Sequence, residues 1–476
     1  MFTRIRIGTL IQTVVILGIF SPTITVAAEQ LDLPMVLQRI HNTYPSFKIA
    51  ASQVERARQE VIAAESQLGW NLTAQGGYTH DITIYPSVAD TTSLGVSVSR
   101  QLESGSSLSF GSNVSNADTV AGVSPLADPN LAVDLDLSYR IPLGKGSDNP
   151  MYQLAQANSQ AGVLMAQASR ETSYDQIASQ VVELYYAAAQ IQFQRENAEK
   201  ALKRAEALVT FIQNNQRLGL AEEREVLQAN AQLRLARLEL ESVRRLWSKQ
   251  RTSLNRLMGN DWNQEFSLRV ANPVLPAKNY QSLSDEVEQY SPALKRNIAQ
   301  KMMAEAAIRK AQNDRQSKFD VIASVGNKSR STVGGGSESG EAYALRFEYQ
   351  LPMDKSGFDA KLYQARIDQD IAEDNIRQVK DELRYNLAGL IAELSSSEQA
   401  LKHAHNRLQL ERQRFQEVQQ RYTRGRADTS QMIMSEGELA FGEFSLQQQQ
   451  IELAKRLSQL QILRGTFWDV VNGNKE

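Results

Sequence analysis

The sequence predicts an α+β membrane protein in which a β-barrel wall is continued by long coiled-coil helices, with the arrangement used twice per chain. Three observations predict it: a helical run of extreme length broken once, segments that alternate apolar and polar residues, and the return of both in the same order.

The long run comes first. From Met151 to Gly259 there is no proline, and the only internal glycines are Gly162 and Gly219. Before Gly219, Ile177, Val181, Leu184, Ala188, Ile191, Ala198, Leu202, Ala205, Val209 and Ile212 fall on alternating steps of four and three, with Arg195 the one polar member. This is a coiled-coil seam. After Gly219 the spacing restarts in Val226, Ala229, Leu233, Ala236, Leu240, Val243, Trp247, Leu254 and Leu257, with Gln250 as the polar member. The chain therefore goes out, turns and returns. At about 1.5 Å per residue the outgoing arm reaches roughly 100 Å, too far for a compact domain.

Residues 1–28 place Arg4 and Arg6 before an apolar run and end on Val26-Ala27-Ala28, the pattern of a cleaved secretory signal. The chain has no cysteine, so it has neither disulfides nor thiolate metal sites. With 52 basic and 54 acidic residues it is nearly neutral, and nothing points to nucleic acid.

Beyond the signal, a short helix over Leu31 to Asn42 precedes a longer one opened by Tyr44-Pro45, where proline at the first turn lacks only a donor that would be unpaired anyway. The period then changes to two. Leu72, Ala74, Gly76, Tyr78, Ile82 and Ile84 alternate with polar residues, as do Leu94, Val96 and Val98, then Leu108 and Phe110, then Leu131 to Ile141. Strands with one dry and one wet face, joined to helices of this length and with no second sheet to cover them, suit a membrane barrel. Residues 260–289, with Trp262, Pro273 and Pro276, read as a small irregular or short-stranded equatorial segment.

At Tyr290-Ser291-Pro292 the order begins again. A helix is followed by the alternating residues Phe319 to Val325, a turn through glycines 334 to 336 and Gly340, and the alternating residues Tyr343 to Leu351. Past Pro352, a second seam from Ile376 to Tyr422 breaks at Gly425, and the return arm carries Leu439, Leu446, Leu453 and Leu460 at sevens. The chain thus divides into residues 1–28, a first repeat over 29–289 with strands 72–141 and hairpin 151–259, and a second over 290–476 with strands 319–351 and hairpin 354–466. Arm lengths balance if each return arm stacks on a shorter helix, and the expected pairing is across halves: the first return arm on the helix from Pro292, the second on the helix from Pro45.

These residues resemble the outer-membrane efflux protein family, the TolC-like channel-tunnels, over nearly all of the mature chain. The resemblance rests on Tyr44-Pro45 and Ser291-Pro292 opening each half, on Leu143 and Met353 after the prolines that end the strands, and on the turns Arg217-Leu218-Gly219-Leu220 and Arg424-Gly425-Arg426. It implies a homotrimer whose strands form one barrel in the outer membrane of a Gram-negative-type cell, in contact with its lipid, and whose helices form a periplasmic tunnel. Chemistry asks for several copies independently, because the strands of one chain are too few to close a lumen and open edges cannot face lipid. The family's halves usually give two strands each, twelve in a trimer. The first half here offers four, so the pair near Leu94 and Phe110 forms either an extracellular hairpin, the reading favoured, or extra wall, making eighteen.

The resemblance further implies that Arg217, Leu218, Gly219, Leu220, Arg424, Gly425 and Arg426 meet a periplasmic adaptor, the membrane fusion protein that links the duct to an inner-membrane transporter. The alternative is that the glycines only cap helices and the arginines only complement helix dipoles. The family often rings its periplasmic constriction with acids; Glu225, Asp428 and Gln431 stand near those places, and Gln431 departs from the pattern. First-turn dipole matching explains the two acids equally well.

The expected function is a passive exit duct of a tripartite efflux or type I secretion system, with no catalytic residue, cofactor or metal. The four histidines do not cluster, since His403 and His405 are two apart on a helix and face differently, and no nucleophile or phosphate-loop pattern stands out. The competing reading is a structural periplasmic coiled coil without a channel, which would not need the alternating strands.

Overall fold

The computed structural model describes residues 29–81, 89–119, 129–271, 279–332 and 336–468. The expected signal, Ile82 and Ile84, Pro273 and Pro276, and Gly334 and Gly335 of the glycine turn lie outside them. The elements in order are β1 (Glu29–Leu31), α1 (Leu33–Thr43), α2 (Pro45–Glu65), β2 (Trp70–Asp81), β3 (Ala89–Gln101), β4 (Ser107–Thr119), β5 (Pro129–Pro142), α3 (Pro150–Arg217), α4 (Glu223–Met258), β6 (Phe266–Leu268), α5 (Tyr280–Tyr290), α6 (Pro292–Asp314), β7 (Lys318–Thr332), β8 (Ser337–Gln350), α7 (Ser356–Thr423) and α8 (Thr429–Leu463).

Helices α3 and α7 each have 68 residues, about 100 Å of rod. Local chemistry sets their ends. Pro150 starts α3 and the Asn149 side chain, on a left-handed residue, accepts from Tyr152 N at 3.2 Å. Ser291 Oγ caps α6 through Leu294 N at 3.2 Å, with Pro292 behind it. Helix α4 opens on a reciprocal capping box between Glu222 and Glu225 and closes on left-handed Gly259. Along the predicted seams, Val181, Ala188, Ala205, Val209 and Ile212 of α3 are buried, as are Ala229, Ala236, Leu240, Val243, Trp247 and Leu254 of α4. Each large side chain there contributes about 2 kcal/mol by leaving water. Arg195, the polar member, lays its guanidinium 5.2 Å from the centre of the Trp247 ring.

The stacking of the arms differs from the expected pairing. Helix α3 packs against α2, α4, α6 and α8, while α6 and α8 also pack against α7. The end of α4 abuts α1 just before α2, since a Cβ on Gly259 would lie 2.3 Å from Thr43 Cγ2. The end of α8 abuts Tyr290 just before α6 in the same way, at Gly465, and Arg464 pairs with Glu286 at 2.6 Å. So α4 continues α2 and α8 continues α6, each within its own half. A short turn ties each return arm to its long helix, and that tether places it below the helix already lying on that flank.

Strands β2-β3-β4-β5-β7-β8 form one six-stranded antiparallel sheet. This corrects the favoured extracellular hairpin: β3 pairs with β2 from Ala89 to Arg100, and β4 with β5 from Ser107 to Asn116. Their connecting turn, Leu102–Ser106, lies at the helical end of the sheet. There Asp148 N donates to Ser104 O at 3.0 Å and Asn149 Nδ2 to Leu102 O at 3.1 Å. Gly105, at φ 81°, sits so close that a Cβ would be 2.0 Å from Gly146 O. The loop after β5 is tied equally to the second half, with Leu143 N to Phe319 O at 2.7 Å and Gly146 N to Asn313 Oδ1 at 2.7 Å. Sheet and rods are thereby joined at one backbone knot.

In the equatorial segment β6 runs parallel to β1, and Tyr185 OH donates to Arg269 O at 2.6 Å beside them. Helix α5 occupies part of the segment that the sequence predicts to be irregular or short-stranded. Its signals, the Asn279 cap on Ser282 N and Leu283 with Val287 one turn apart on the buried face, are short ones.

Candidate channel wall and tip sites

The pleat divides the sheet into two chemistries. One face carries Leu72 and Tyr78 of β2, Leu94 and Val98 of β3, Phe110 of β4, Leu131 to Ile141 of β5, Phe319 to Val325 of β7 and Tyr343 to Leu351 at β8. Many stay exposed in the single chain, Leu72 at 71% and Tyr343 at 72%. Aromatic residues mark both edges of this band, with Trp70, Tyr139, Phe319 and Tyr349 toward the helices and Tyr78 and Tyr343 away from them. An apolar band between aromatic girdles is the pattern of a lipid-facing barrel wall.

The band is also slanted. The row of direct partners from Tyr78, its upper edge on β2, runs through Thr92, Asn116, Leu131 and Ser331 to Ser337, six residues above Tyr343. The row from Trp70, its lower edge, ends on Leu345, four residues above Tyr349. The upper-edge drift of six residues over five strand steps corresponds to a strand tilt of about 40°, within the range of closed membrane barrels.

The opposite face is polar in two sectors. On β2, β3 and β4 it presents only hydroxyls, amides and glycines from Asn71 to Thr79, Thr91 to Gln101 and Ser107 to Ser115. On β5, β7 and β8 it adds charges, several of them paired: Arg140 holds the fully buried Asp320 at 2.6 Å, Lys318 reaches Glu348 at 2.7 Å, and Arg330 reaches Asp134 at 2.5 Å.

At the other end of the rods the predicted tip residues take one motif twice. Leu220 N donates to Asn215 O at 2.8 Å and Gly219 N to Gln216 O at 2.9 Å; Arg426 N donates to Arg421 O at 2.8 Å and Gly425 N to Tyr422 O at 3.0 Å. Gly219 and Gly425 have φ of 72° and 69°, the left-handed turn that ends a helix. Arg217, Leu218, Leu220, Arg424 and Arg426 are exposed, and none of the three arginines makes an ion pair among the described residues. The capping role and a free contact surface therefore coexist.

Glu225 and Asp428 are both engaged as caps. Asp428 Oδ1 accepts from Gln431 N at 2.7 Å, and Gln431 itself is exposed. Glu225 Oε2 accepts from Glu222 N at 3.1 Å, while its Oε1 accepts from Thr429 Oγ1 at 3.1 Å, across to the other hairpin. Buried Thr429 is also 3.1 Å from Tyr422 OH, and the Tyr422 ring lies 5.5 Å from that of Phe211. Thr429 and Tyr422 thus bind the two tips together. In the sequence Tyr422 stands only as a seam residue, and no periodic signal marks Thr429.

A second cluster sits at mid-rod, where α8 meets α6. Tyr290 OH donates to both oxygens of Asp175, at 2.9 and 3.1 Å, and Lys295 pairs with Glu171 at 2.8 Å. Burial pushes the Asp175 carboxyl up to about 7, with the Glu171 charge adding to the rise, against the lowering by the Tyr290 hydrogen bond and Lys295. A raised carboxyl pKa means the folded state holds the proton. Its contribution to stability is complete below the unfolded value of about 3.9 and is lost as pH rises through about 7. The melting temperature of the detergent-purified protein is expected to fall as pH rises from about 4 to about 7 and to level off above that, and Asp175→Asn to flatten that slope; an unchanged slope would remove Asp175 as its source.

Among the described residues no group of three or more His, Cys, Asp or Glu is placed to hold a metal ion, and no helix is long and apolar enough to cross a membrane.

No family model and no curated protein sequence matches this chain. Solved structures do. The outer membrane protein VceC of Vibrio cholerae superposes with a TM-score of 0.64 at 15% identity, over 91% of this chain and 96% of VceC. The outer-membrane channel OprN does so at 0.64 and 16% identity, over 92% and 90% of the two chains. The CmeC outer membrane channel of Campylobacter jejuni gives 0.62 at 14% identity, over 91% and 86%. The chain therefore has the fold of the outer-membrane channel-tunnels along almost its entire described length. At such identities the likeness is one of architecture.

Proposed function

We propose that this protein is the outer-membrane exit duct of a tripartite efflux or type I secretion system. Three copies assemble, their sheets form one wall in the outer membrane, and their rods enclose a tunnel through the periplasm. Cargo moves passively, driven by an inner-membrane transporter that a periplasmic adaptor couples to the duct. The observation that carries this reading is the slanted apolar band between aromatic girdles, rigidly continued by rods of about 100 Å. A purely structural coiled coil would have no use for such a band.

The adaptor meets the tips, where Arg217, Leu218, Gly219, Leu220, Arg424, Gly425 and Arg426 offer an exposed surface on stiff arms. Glu225, Asp428 and Gln431 surround the periplasmic constriction, with Glu225 holding the hairpins together. The likeness to OprN and CmeC, both outer membrane channels, supports the assignment. The test is electrical: detergent-purified protein added to a planar lipid bilayer should insert discrete conducting steps, and a silent bilayer would overturn the proposal.

A further inference from the structure

The sheet has two unpartnered edges, β2 on one side and β8 on the other. In hydrocarbon a row of free N–H and C=O groups is untenable, so each edge needs a strand. Resting on the trimeric duct proposed above, we infer that β8 of each copy pairs antiparallel with β2 of the next in a single register, placing Tyr343 opposite Tyr78, Leu345 opposite Gly76 and Phe347 opposite Ala74, and closing an eighteen-stranded wall.

Three observations select this register. Even positions of β2 and odd positions of β8 carry the apolar face, so a one-residue slip would turn one strand inside out and only shifts of two are open. The band must stay level around the ring, which brings its upper edge, Tyr78 on one copy and Tyr343 on the next, together. Six residues of drift per copy spread over six strand steps then give a tilt of about 35°, still a closed-barrel value. Finally, side chains complement one another across the seam, with bulky Leu345 and Phe347 facing Gly76 and Ala74. The hairpin β3–β4 is what raises the count. It lies inside the sheet, anchored through Gly105, so three copies supply eighteen strands where two per half would supply twelve. Its polar face adds two uncharged hydroxyl and amide stripes per copy to the lumen, which becomes half as wide again.

The natural absence of cysteine makes the seam directly testable. Gly76→Cys with Leu345→Cys reports the apolar side, and Gly77→Cys with Ala344→Cys the polar side; a side chain added at either glycine meets nothing closer than 3.4 Å. Adjacent positions in an antiparallel ladder alternate between hydrogen-bonded and non-hydrogen-bonded pairs, so one of the two suits a disulfide. Mild oxidation of the protein in its membranes should give a ladder ending at three linked copies. The displaced pairs, Gly77→Cys with Ala342→Cys and Gly77→Cys with Arg346→Cys, should link far less. Thr73→Cys with Ser97→Cys should close within one copy, because β2 and β3 pair there. A ladder from a displaced pair, or one ending at two copies, would overturn the seam. Conducting trimers with no link from either seam pair would overturn the seam and leave the duct standing, whereas a soluble monomer would sink both.

Discussion

In the proposed trimeric duct, Gly105→Val is expected to abolish assembled trimers in the outer membrane. The turn is left-handed at this residue, where a β-branched side chain is strained by about 1–2 kcal/mol. The new Cβ would also stand 2.0 Å from Gly146 O and 3.1 Å from Pro142 Cγ. That oxygen belongs to the backbone of the loop leading into α3, so relief requires shifting the knot where sheet and rods join, a further overpacking cost of about 1–3 kcal/mol. Heat-resistant oligomers on unboiled gels, together with outer-membrane abundance, read the effect. Gly357→Val is the control, since a Cβ there meets nothing within 4 Å. Equal abundance of the two variants would show that the β3–β4 turn is not seated on the loop after β5.

Glu225→Ala is expected to leave assembly intact and loosen the proposed periplasmic end, where the two tips meet. The substitution removes the acceptor for Glu222 N and the one for Thr429 Oγ1 at once. The first loss frays the start of α4 by about 1 kcal/mol; the second cuts the hydrogen-bonded line from Tyr422 through Thr429 to the first hairpin. In planar bilayers the variant should conduct in larger steps than the parent, and cells carrying it should admit bulky solutes that the parent excludes. Glu225→Gln keeps one acceptor oxygen and should fall between. Steps identical in the parent and Glu225→Ala would mean that this contact does not restrain the opening.

Much of this architecture is legible in one sequence because its signals are local. The seams follow from spacing alone, so Val181, Ala205 and Ile212 are found buried where the heptad places them. The two tip glycines end their helices for a reason visible in the residue itself, freedom at positive φ. What depends on distant neighbours is not legible. Whether α4 continues α2 or α6 turns on which flank of α3 is already occupied, a fact of packing that no periodicity encodes. Strands β3 and β4 alternate as barrel strands do, yet their place inside the sheet rests on Gly105 meeting Gly146 across a span of sequence. The link between Thr429 and Glu225 is similar, a single hydroxyl joining segments about 200 residues apart.

The central claim is that copies of this chain enclose one water-filled passage through a lipid layer, and current across a planar bilayer tests it most directly. Purified protein should add steps of uniform size, each matching one trimer, from material that requires detergent to stay dispersed. Protein that disperses without detergent, sediments as a single chain and leaves the bilayer without current would contradict it.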